Sequence, residues 1–147
     1  MLSWLFSDVL PVGSQAPEFR LPDEGGNLVS LSALRGRNVV LVFYPGDDTT
    51  VCRKQLCEFR DHWQDAEKRN TAVFGINPQS RASHARFREK FQFPFPLLVD
   101  SAQMVAKLYH ANGLIVKRTV YLIDPVGVIR YAARGKPAPE AVLAAAR

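Results

Sequence analysis

The chain has 147 residues, of which 47% are hydrophobic and 22% charged, a composition typical of one globular domain with a buried core. We therefore expect a single domain over residues 1–147. The formal net charge is +5, yet basic residues never form a run longer than two. This favours a mildly basic surface over a nucleic-acid-binding stripe, so no nucleic-acid partner is expected. Two cysteines are too few for a disulfide-stapled secreted scaffold, which predicts a reducing, cytoplasmic compartment.

The N-terminal segment, residues 1–12, is an extension to which the sequence assigns no role. It has no early basic residue, and Asp8 interrupts its apolar run, so we expect neither a signal peptide nor a membrane span. Its large apolar side chains are expected to pack against the domain itself, with contact to a membrane surface or a partner subunit as the alternative. These side chains are Trp4, Leu5 and Phe6.

Strands and helices alternate along the rest of the chain. Residues 17–31 read as two short extended pieces around a Glu-Gly-Gly-Asn turn, which predicts a hairpin. The run NVVLVFY at 38–44 is apolar almost throughout, as expected for a strand covered on both faces. The later predicted elements are helix 50–69, strand 71–77, helix 80–91, strand 95–100, helix 102–109, strand 118–124, an extended segment 128–133 and helix 138–146. This alternation predicts an α/β fold in which helices flank a central, mostly parallel sheet with a hairpin edge.

Both cysteines lie on the predicted helix 50–69. Cys52 lies in the first turn, on the same apolar face as four later residues, and should point toward the core. Those residues are Leu56, Phe59, Trp63 and Ala66. Cys57 lies about 140° round the helix, on a more polar flank. Ideal helix geometry separates the two Cα atoms by about 8–9 Å, beyond the limit of about 7 Å for a disulfide, so the wound helix keeps the thiols apart.

The position of Cys52 at a helix N-terminus favours a thiolate, because unpaired N–H groups and the helix dipole stabilise an anion there. The dipole contributes about 0.3–2 kcal/mol, whereas lowering the pKa of a thiol from about 8.5 to about 6 takes about 3.4 kcal/mol. A nearby cation is therefore also expected. Arg118 is the candidate, because it opens the strand 118–124 at the sheet end where the loop before Cys52 should lie. Arg53 projects about 100° away on the helix and is the poorer partner.

These residues carry a resemblance to a known family. Pro45, Thr49 and Cys52 form the pattern P-x-x-x-T-x-x-C after a hydrophobic strand, Cys57 follows at the fifth position, and Arg118 begins the later stretch RTVYLID. This set resembles the peroxiredoxins of the AhpC/TSA type. The C-x-x-x-x-C spacing is similar to that of the bacterioferritin comigratory protein or PrxQ branch, and the likeness runs from about residue 13 to the C-terminus.

The resemblance implies a thioredoxin-like fold and a thiol peroxidase that reduces hydrogen peroxide or small organic hydroperoxides without a metal or organic cofactor. Cys52 would be the peroxidatic nucleophile and Cys57 the resolving thiol. Thr49 would hydrogen-bond the thiolate or the peroxide, Pro45 would shield the pocket from water, and Arg118 would hold both reactants. We expect a Cys52 sulfenic acid, then an internal disulfide after the first turns unwind, and then reduction by thioredoxin or a similar dithiol protein. A monomer or a weak homodimer is expected.

One pair of residues departs from the pattern of that branch. Thr50 and Val51 stand where Pro-Gly usually precedes the nucleophile. Thr50 remains a possible helix cap, but a β-branched Val51 stiffens the turn that has to unwind. Slower resolution, or an oxidised loop of a different shape, is the expected consequence.

Each of the site residues also has an ordinary structural alternative. Cys52 would then be a buried thiol, Cys57 an incidental residue on a helix flank, Thr49 a capping residue, Pro45 a strand terminator and Arg118 a surface arginine. Two other functions stay open as well. A thiol-disulfide oxidoreductase would share the architecture, although its chemistry usually needs C-x-x-C. A non-catalytic interaction module would dock through its N-terminal aromatic residues and leave the first cysteine unactivated.

The histidines give no metal signature. The two cysteines and His62 do not match zinc spacing, and His84 and His110 fall in polar helical or loop contexts, so no metal site is expected. The stretch RASHARFREK around His84 reads as the solvated face of a helix.

Overall fold

The computed structural model describes residues 8–147. Two short 3₁₀ turns, Ser32–Leu34 and Ser101–Gln103, interrupt its connections. The strands and α-helices follow in chain order: β1 (Arg20–Pro22), β2 (Leu28–Ser30), β3 (Asn38–Phe43), α1 (Thr50–Asp61), α2 (Trp63–Lys68), β4 (Thr71–Asn77), α3 (Arg81–Phe91), β5 (Leu97–Val99), α4 (Met104–Leu108), β6 (Thr119–Ile123), β7 (Ile129–Arg134) and α5 (Pro139–Leu143). The predicted alternation of strands and helices is confirmed.

A five-stranded sheet in the order β5-β4-β3-β6-β7 forms the centre of the fold. β3 pairs in parallel with β4, and β4 with β5. On the other side β3 pairs with β6, and β6 with β7, in antiparallel fashion. Every residue of β3, β4 and β6 is buried, as the uninterrupted apolar runs predict for strands covered on both faces. The sheet is therefore mixed, and its hairpin edge is β6 with β7.

The hairpin predicted at 17–31 forms, but it lies outside the main sheet. β1 and β2 make a separate two-stranded sheet. A β-bridge between Asp23 and Leu98 and a hydrogen bond from the Leu97 N–H to Glu24 Oε1 join the hairpin to β5. The Asp23 carboxylate also closes the hairpin turn, accepting the N–H groups of Gly25 at 2.9 Å and Asn27 at 3.0 Å. The hairpin therefore packs beside β5 and does not extend the main ladder.

Two predicted helices are interrupted. The helix predicted over 50–69 breaks at His62, whose φ is −103°. The His62 ring donates from Nδ1 to the Glu58 carbonyl at 2.8 Å, and its Nε2 lies 2.9 Å from the Glu140 carboxylate of α5. These contacts hold the His62 side chain at the junction of α1 and α2. The helix predicted over 102–109 shortens to α4, because Ala102 has a left-handed φ of 58°.

Alternate residues of β3 face two separate cores. Phe43 points into the core on one side of the sheet, which includes aromatic residues from the end of α4 and from β6. Val42 and Tyr44 point into the core on the other side, which α1 and α3 cover. Gly75 of β4 makes room there, because a Cβ at this position would lie 3.0 Å from Tyr44 Cε1 and 2.8 Å from Leu97 Cδ2. The second core holds the apolar face of α1, including Cys52.

Every helix within residues 8–147 is too short or too polar to cross a membrane. The predicted packing of Trp4, Leu5 and Phe6 falls outside the described residues.

Candidate active site

The site forms where β3 ends and α1 begins, with residues 44–49 as the connecting loop, called here the 44–49 loop. Asp48 gives the loop a left-handed turn, with φ of 58°. Thr49 has an extended backbone, with φ −79° and ψ 153°, and its hydroxyl accepts the N–H of Cys52 at 3.3 Å. Thr49 is therefore the N-cap of α1. Its contact with a peroxide stays a prediction.

Arg118 reaches Cys52 because of the strand pairing. It immediately precedes β6, and the antiparallel register sets Thr119 opposite Phe43, the last residue of β3. Arg118 therefore lies beside the start of α1, and its Nη2 donates to Cys52 Sγ at 3.2 Å. Cys52 is 0% exposed, so a thiolate there would meet the guanidinium with little screening by water. Arg53 instead points to Asp48, with 3.8 Å between Nη1 and Oδ1.

Gln55 holds the guanidinium in place, a role that the sequence alone did not reveal. Its side chain is buried, its Oε1 accepts from Arg118 Nη1 at 2.8 Å, and its Nε2 donates to the Gly135 carbonyl at 3.2 Å. Because both ends of the amide are bonded, its orientation is fixed. The sequence feature that could have indicated this role is the spacing. Gln55 lies three residues after Cys52, which puts both side chains on one side of the helix.

Cys57 lies in a different environment on the same helix. Both cysteines are free thiols, but Cys57 is only partly buried. Burial raises the pKa of the Cys57 thiol, and nearby Arg60 offsets the rise only in part. The helix between the cysteines is unbroken, so their Cα atoms stay about 8–9 Å apart. The sulfur of Cys57 is therefore a neutral thiol on the flank of α1, away from the pair formed by Cys52 and Arg118.

Four of the five residues that the sequence singled out, Pro45, Thr49, Cys52 and Arg118, lie at one end of the sheet. Thr49 and Arg118 each contact Cys52, Thr49 at the backbone N–H and Arg118 at the sulfur. Pro45 lies half-buried in the 44–49 loop, and Cys57 lies apart along α1. The catalytic roles of these residues stay predictions.

The Asp47 carboxylate joins the 44–49 loop to β4 and α3 through hydrogen bonds. It accepts hydrogen bonds from Tyr44 Oη at 2.7 Å, Asn77 Nδ2 at 3.1 Å, Ser83 Oγ at 2.6 Å and His84 Nδ1 at 2.6 Å. The Asp47 side chain is 3% exposed. Its burial works to raise the pKa of the carboxyl group, but the hydrogen bonds from His84 and Ser83 outweigh that effect and lower the pKa. Asp47 is therefore a buried carboxylate.

The expectation that His84 lies in a polar context was wrong, because its side chain is 0% exposed. The basic residues around it are exposed or partly exposed, but His84 and Phe87 occupy the buried side of α3. The missed signal was the helical spacing of His84, Phe87 and Phe91. Among residues 8–147, no group of three or more His, Cys, Asp or Glu side chains is arranged to hold a metal ion.

Comparison with known proteins adds the family. Residues 12–132 match the sequence profile of the AhpC/TSA family. The chain belongs to this family. Peroxiredoxin Q of the rice chloroplast (Oryza sativa subsp. japonica) is 40% identical to it over 132 residues, a match that covers 87% of this chain and 61% of the rice protein. This AhpC/TSA-family chain thus spans less than two thirds of that relative.

Solved structures agree with the sequence match. BcpB from Mycobacterium tuberculosis has a TM-score of 0.88 at 30% identity, covering 94% of this chain and 97% of its own. The bacterioferritin comigratory protein of Xanthomonas campestris has a TM-score of 0.83 at 26% identity, covering 94% of this chain and 96% of its own. The predicted thioredoxin-like fold and the likeness to the PrxQ and bacterioferritin comigratory protein branch are confirmed.

Proposed function

We propose that this AhpC/TSA-family chain is a thiol peroxidase that reduces hydrogen peroxide or small organic hydroperoxides at Cys52. The observation that carries this proposal is the distance of 3.2 Å between Arg118 Nη2 and the buried Cys52 Sγ. A guanidinium and a helix N-terminus both favour the thiolate, which is the nucleophilic form of cysteine. The bacterioferritin comigratory protein of Xanthomonas campestris has alkyl peroxide reduction activity, which supports organic hydroperoxides as one substrate class here.

In the first step, the Cys52 thiolate attacks one peroxide oxygen. An S–O bond forms as the O–O bond breaks, and the departing alkoxide or hydroxide takes up a proton and leaves as alcohol or water. Cys52 becomes a sulfenic acid. Negative charge moves from sulfur to the departing oxygen, and the Arg118 guanidinium stabilises both positions. The Thr49 hydroxyl accepts the Cys52 N–H, so its own hydrogen stays available for the peroxide. Pro45 limits the access of water to this pocket.

In the second step, Cys57 attacks the sulfenic sulfur. A disulfide forms, the S–O bond breaks, and the hydroxide leaves as water after protonation. The first turn of α1 has to unwind, since a separation of about 8–9 Å between Cα atoms forbids the bond. Unwinding breaks the Thr49 cap and the Gln55 contacts. Val51 is 48% exposed, so little of its packing opposes this change.

Recycling then needs a dithiol reductant of the thioredoxin type. Its two thiols exchange with the disulfide, so that Cys52 and Cys57 return to thiols while the reductant becomes a disulfide. A reducing, cytoplasmic compartment would supply such a protein.

The mass of the intact protein after one equivalent of hydrogen peroxide tests the proposal. The wild type should lose two hydrogens, Cys57→Ser should gain one oxygen, and Cys52→Ser should stay unchanged. An unchanged wild-type mass would contradict peroxidase activity. A wild type that gains one oxygen would preserve the role of Cys52 and contradict the role of Cys57.

A further inference from the structure

His84 meets a hydrogen-bond acceptor at each ring nitrogen. Nε2 lies 2.9 Å from the carbonyl oxygen of Leu98, and a carbonyl only accepts, so Nε2 carries a hydrogen. Nδ1 lies 2.6 Å from Asp47 Oδ2. Asp47 accepts three further hydrogen bonds, from Tyr44, Asn77 and Ser83, as a carboxylate does, so Nδ1 carries a hydrogen as well. An imidazole ring with hydrogens on both nitrogens is a cation.

We propose that His84 and Asp47 form a buried charged pair that positions the 44–49 loop for attack on the peroxide. For its kinetic consequences this inference rests on the proposed function. Both side chains are almost completely buried, at 0% and 3% exposure, and neither touches Cys52 in the hydrogen bonds described above. Their role is therefore positioning, exerted through the loop.

The main chain of the loop is fixed at the same point. The Asp47 N–H donates to the side-chain oxygen of Gln79, and the Gln79 N–H donates to Asn77 Oδ1 at 2.8 Å. One residue separates Asp47 from Thr49, the cap that accepts the Cys52 N–H. Any displacement of Asp47 therefore moves the cap and the start of α1.

The charge of the pair is balanced within the core. If His84 is removed, the Asp47 carboxylate stays buried without its cation, which is costly and favours movement of the loop toward water. Other titratable or charged groups face the pair from neighbouring elements and bear on its protonation. They are Tyr44 of the 44–49 loop, which bonds Asp47, and Asp48, Arg86 and Lys90, which line the adjoining cavity with Asp47. Cys52 of α1 and Glu24 of the hairpin turn act electrostatically on Tyr44.

Three substitutions separate the contributions of the pair. His84→Asn keeps a hydrogen-bond donor near the position of Nδ1 but cannot carry a positive charge. His84→Leu removes both the donor and the charge. Asp47→Asn removes the anion. The matched control is His110→Asn, because the exposed His110 ring bonds only the Asp8 carbonyl in the contacts described, at 2.9 Å, and its left-handed φ of 57° suits asparagine.

The kinetic readout is the rate constant for oxidation of Cys52 by hydrogen peroxide. We expect a loss of about tenfold in His84→Asn and about a hundredfold in His84→Leu, since small displacements of a reacting group have effects of this size. His110→Asn should stay within about twofold of the wild type. The partial rescue by asparagine distinguishes positioning from packing alone. If His84→Leu does not fold, the comparison of His84→Asn with the wild type decides.

Nitrogen NMR of the His84 ring gives a readout that is independent of catalysis. Both ring nitrogens should be protonated at neutral pH in the wild type, and one should lose its hydrogen in Asp47→Asn. A neutral His84 ring in the wild type overturns the charged pair, and unchanged rates in the His84 variants overturn the positioning role. If wild-type Cys52 does not react with peroxide, the proposed function fails, and the ring signals still decide the charge of the pair.

Discussion

The two cysteines of α1 lie on one helix but meet opposite surroundings. Cys52 is fully buried in the first turn, and its sulfur lies 3.2 Å from a guanidinium. Cys57 lies five residues later on the flank, and burial raises the pKa of its thiol. The difference shows that the start of the helix and Arg118, which precedes β6, distinguish the two thiols. In the proposed reaction Cys52 attacks the peroxide, and Cys57 reacts afterwards with the resulting sulfenic acid.

Replacing each cysteine in turn should have the largest effects on peroxide reduction and should separate the roles of the two thiols. Cys52→Ser should lower peroxide consumption by more than about 10³-fold, because the other thiol of the chain, Cys57, lies apart on the flank of α1. Cys57→Ser should keep the first oxidation at nearly the wild-type rate and block the disulfide. Stopped-flow measurement of peroxide consumption, followed by the mass of the product, separates the two effects. Equal losses in both variants would contradict the division of roles.

Removal of the guanidinium should have the next largest effect. Arg118→Gln keeps a donor but loses the charge, and the rate constant for Cys52 oxidation should fall by about 10²-fold or more. Arg118→Lys should recover only part of the rate, since an ammonium cannot bond Cys52 and Gln55 in the same fork. Arg53→Gln is the matched control, because its guanidinium points to Asp48. A loss in Arg53→Gln as large as that in Arg118→Gln would remove the basis for assigning the cation.

Substitution of Gln55 tests whether the position of Arg118 matters for the reactivity of Cys52. Gln55→Leu should leave the guanidinium without its partner and lower the oxidation rate by about tenfold, as expected when a reacting group is less well oriented. Gln55→Glu keeps an acceptor for Arg118 and should retain more activity than leucine. Gln64→Leu, at an exposed position, controls for a general effect of the substitution. Identical rates in the two Gln55 variants would argue against positioning.

The pH dependence of disulfide formation tests the state of Cys57. Only the thiolate of Cys57 attacks the sulfenic acid, and its raised pKa keeps that form scarce at neutral pH. The resolution rate should therefore rise about tenfold per unit between about pH 7 and pH 8. Rapid quenching followed by mass analysis of the disulfide gives this rate. A rate that stays flat over this range would show that unwinding, and not deprotonation, limits resolution.

Loss of the helix cap should have the smallest effect. Thr49→Val removes the acceptor for the Cys52 N–H and should lower the free energy of unfolding by about 1 kcal/mol in urea titrations. Ser80→Ala removes the equivalent cap of α3, where the Ser80 hydroxyl accepts the Ser83 N–H at 3.1 Å. The two variants should lose similar stability, but Thr49→Val should lose more activity. Equal peroxidase activities in Thr49→Val and Ser80→Ala would show that Thr49 acts only as a structural helix cap.

The sequence was sufficient for features that depend on local patterns. The apolar run of β3, the apolar face of α1 and the fold class follow from periodicity, and the closeness of Arg118 to Cys52 was expected from its place at the start of a strand. Gln55 was missed because its importance depends on Arg118 and Gly135, which lie far along the chain.

Apart from the approach of Arg118 to Cys52, long-range side-chain contacts could not be predicted from the sequence. The contact of His84 with Asp47 joins residues 37 positions apart, and neither residue alone indicates the other. The contact of His62 with Glu140 of α5 likewise joins residues far apart in the sequence. Periodicity shows which face of a helix is buried, but it does not show which polar groups meet there.

In the proposed reaction Arg118 stabilises the Cys52 thiolate through the contact of 3.2 Å, and the ultraviolet absorbance of the thiolate tests this role most directly. The reduced Cys57→Ser variant, which has one cysteine left, should show thiolate absorbance from Cys52. Adding Arg118→Gln should remove most of that signal, and adding Arg53→Gln should not. A Cys57→Ser protein without thiolate absorbance, or one whose absorbance survives the loss of Arg118, would contradict the account.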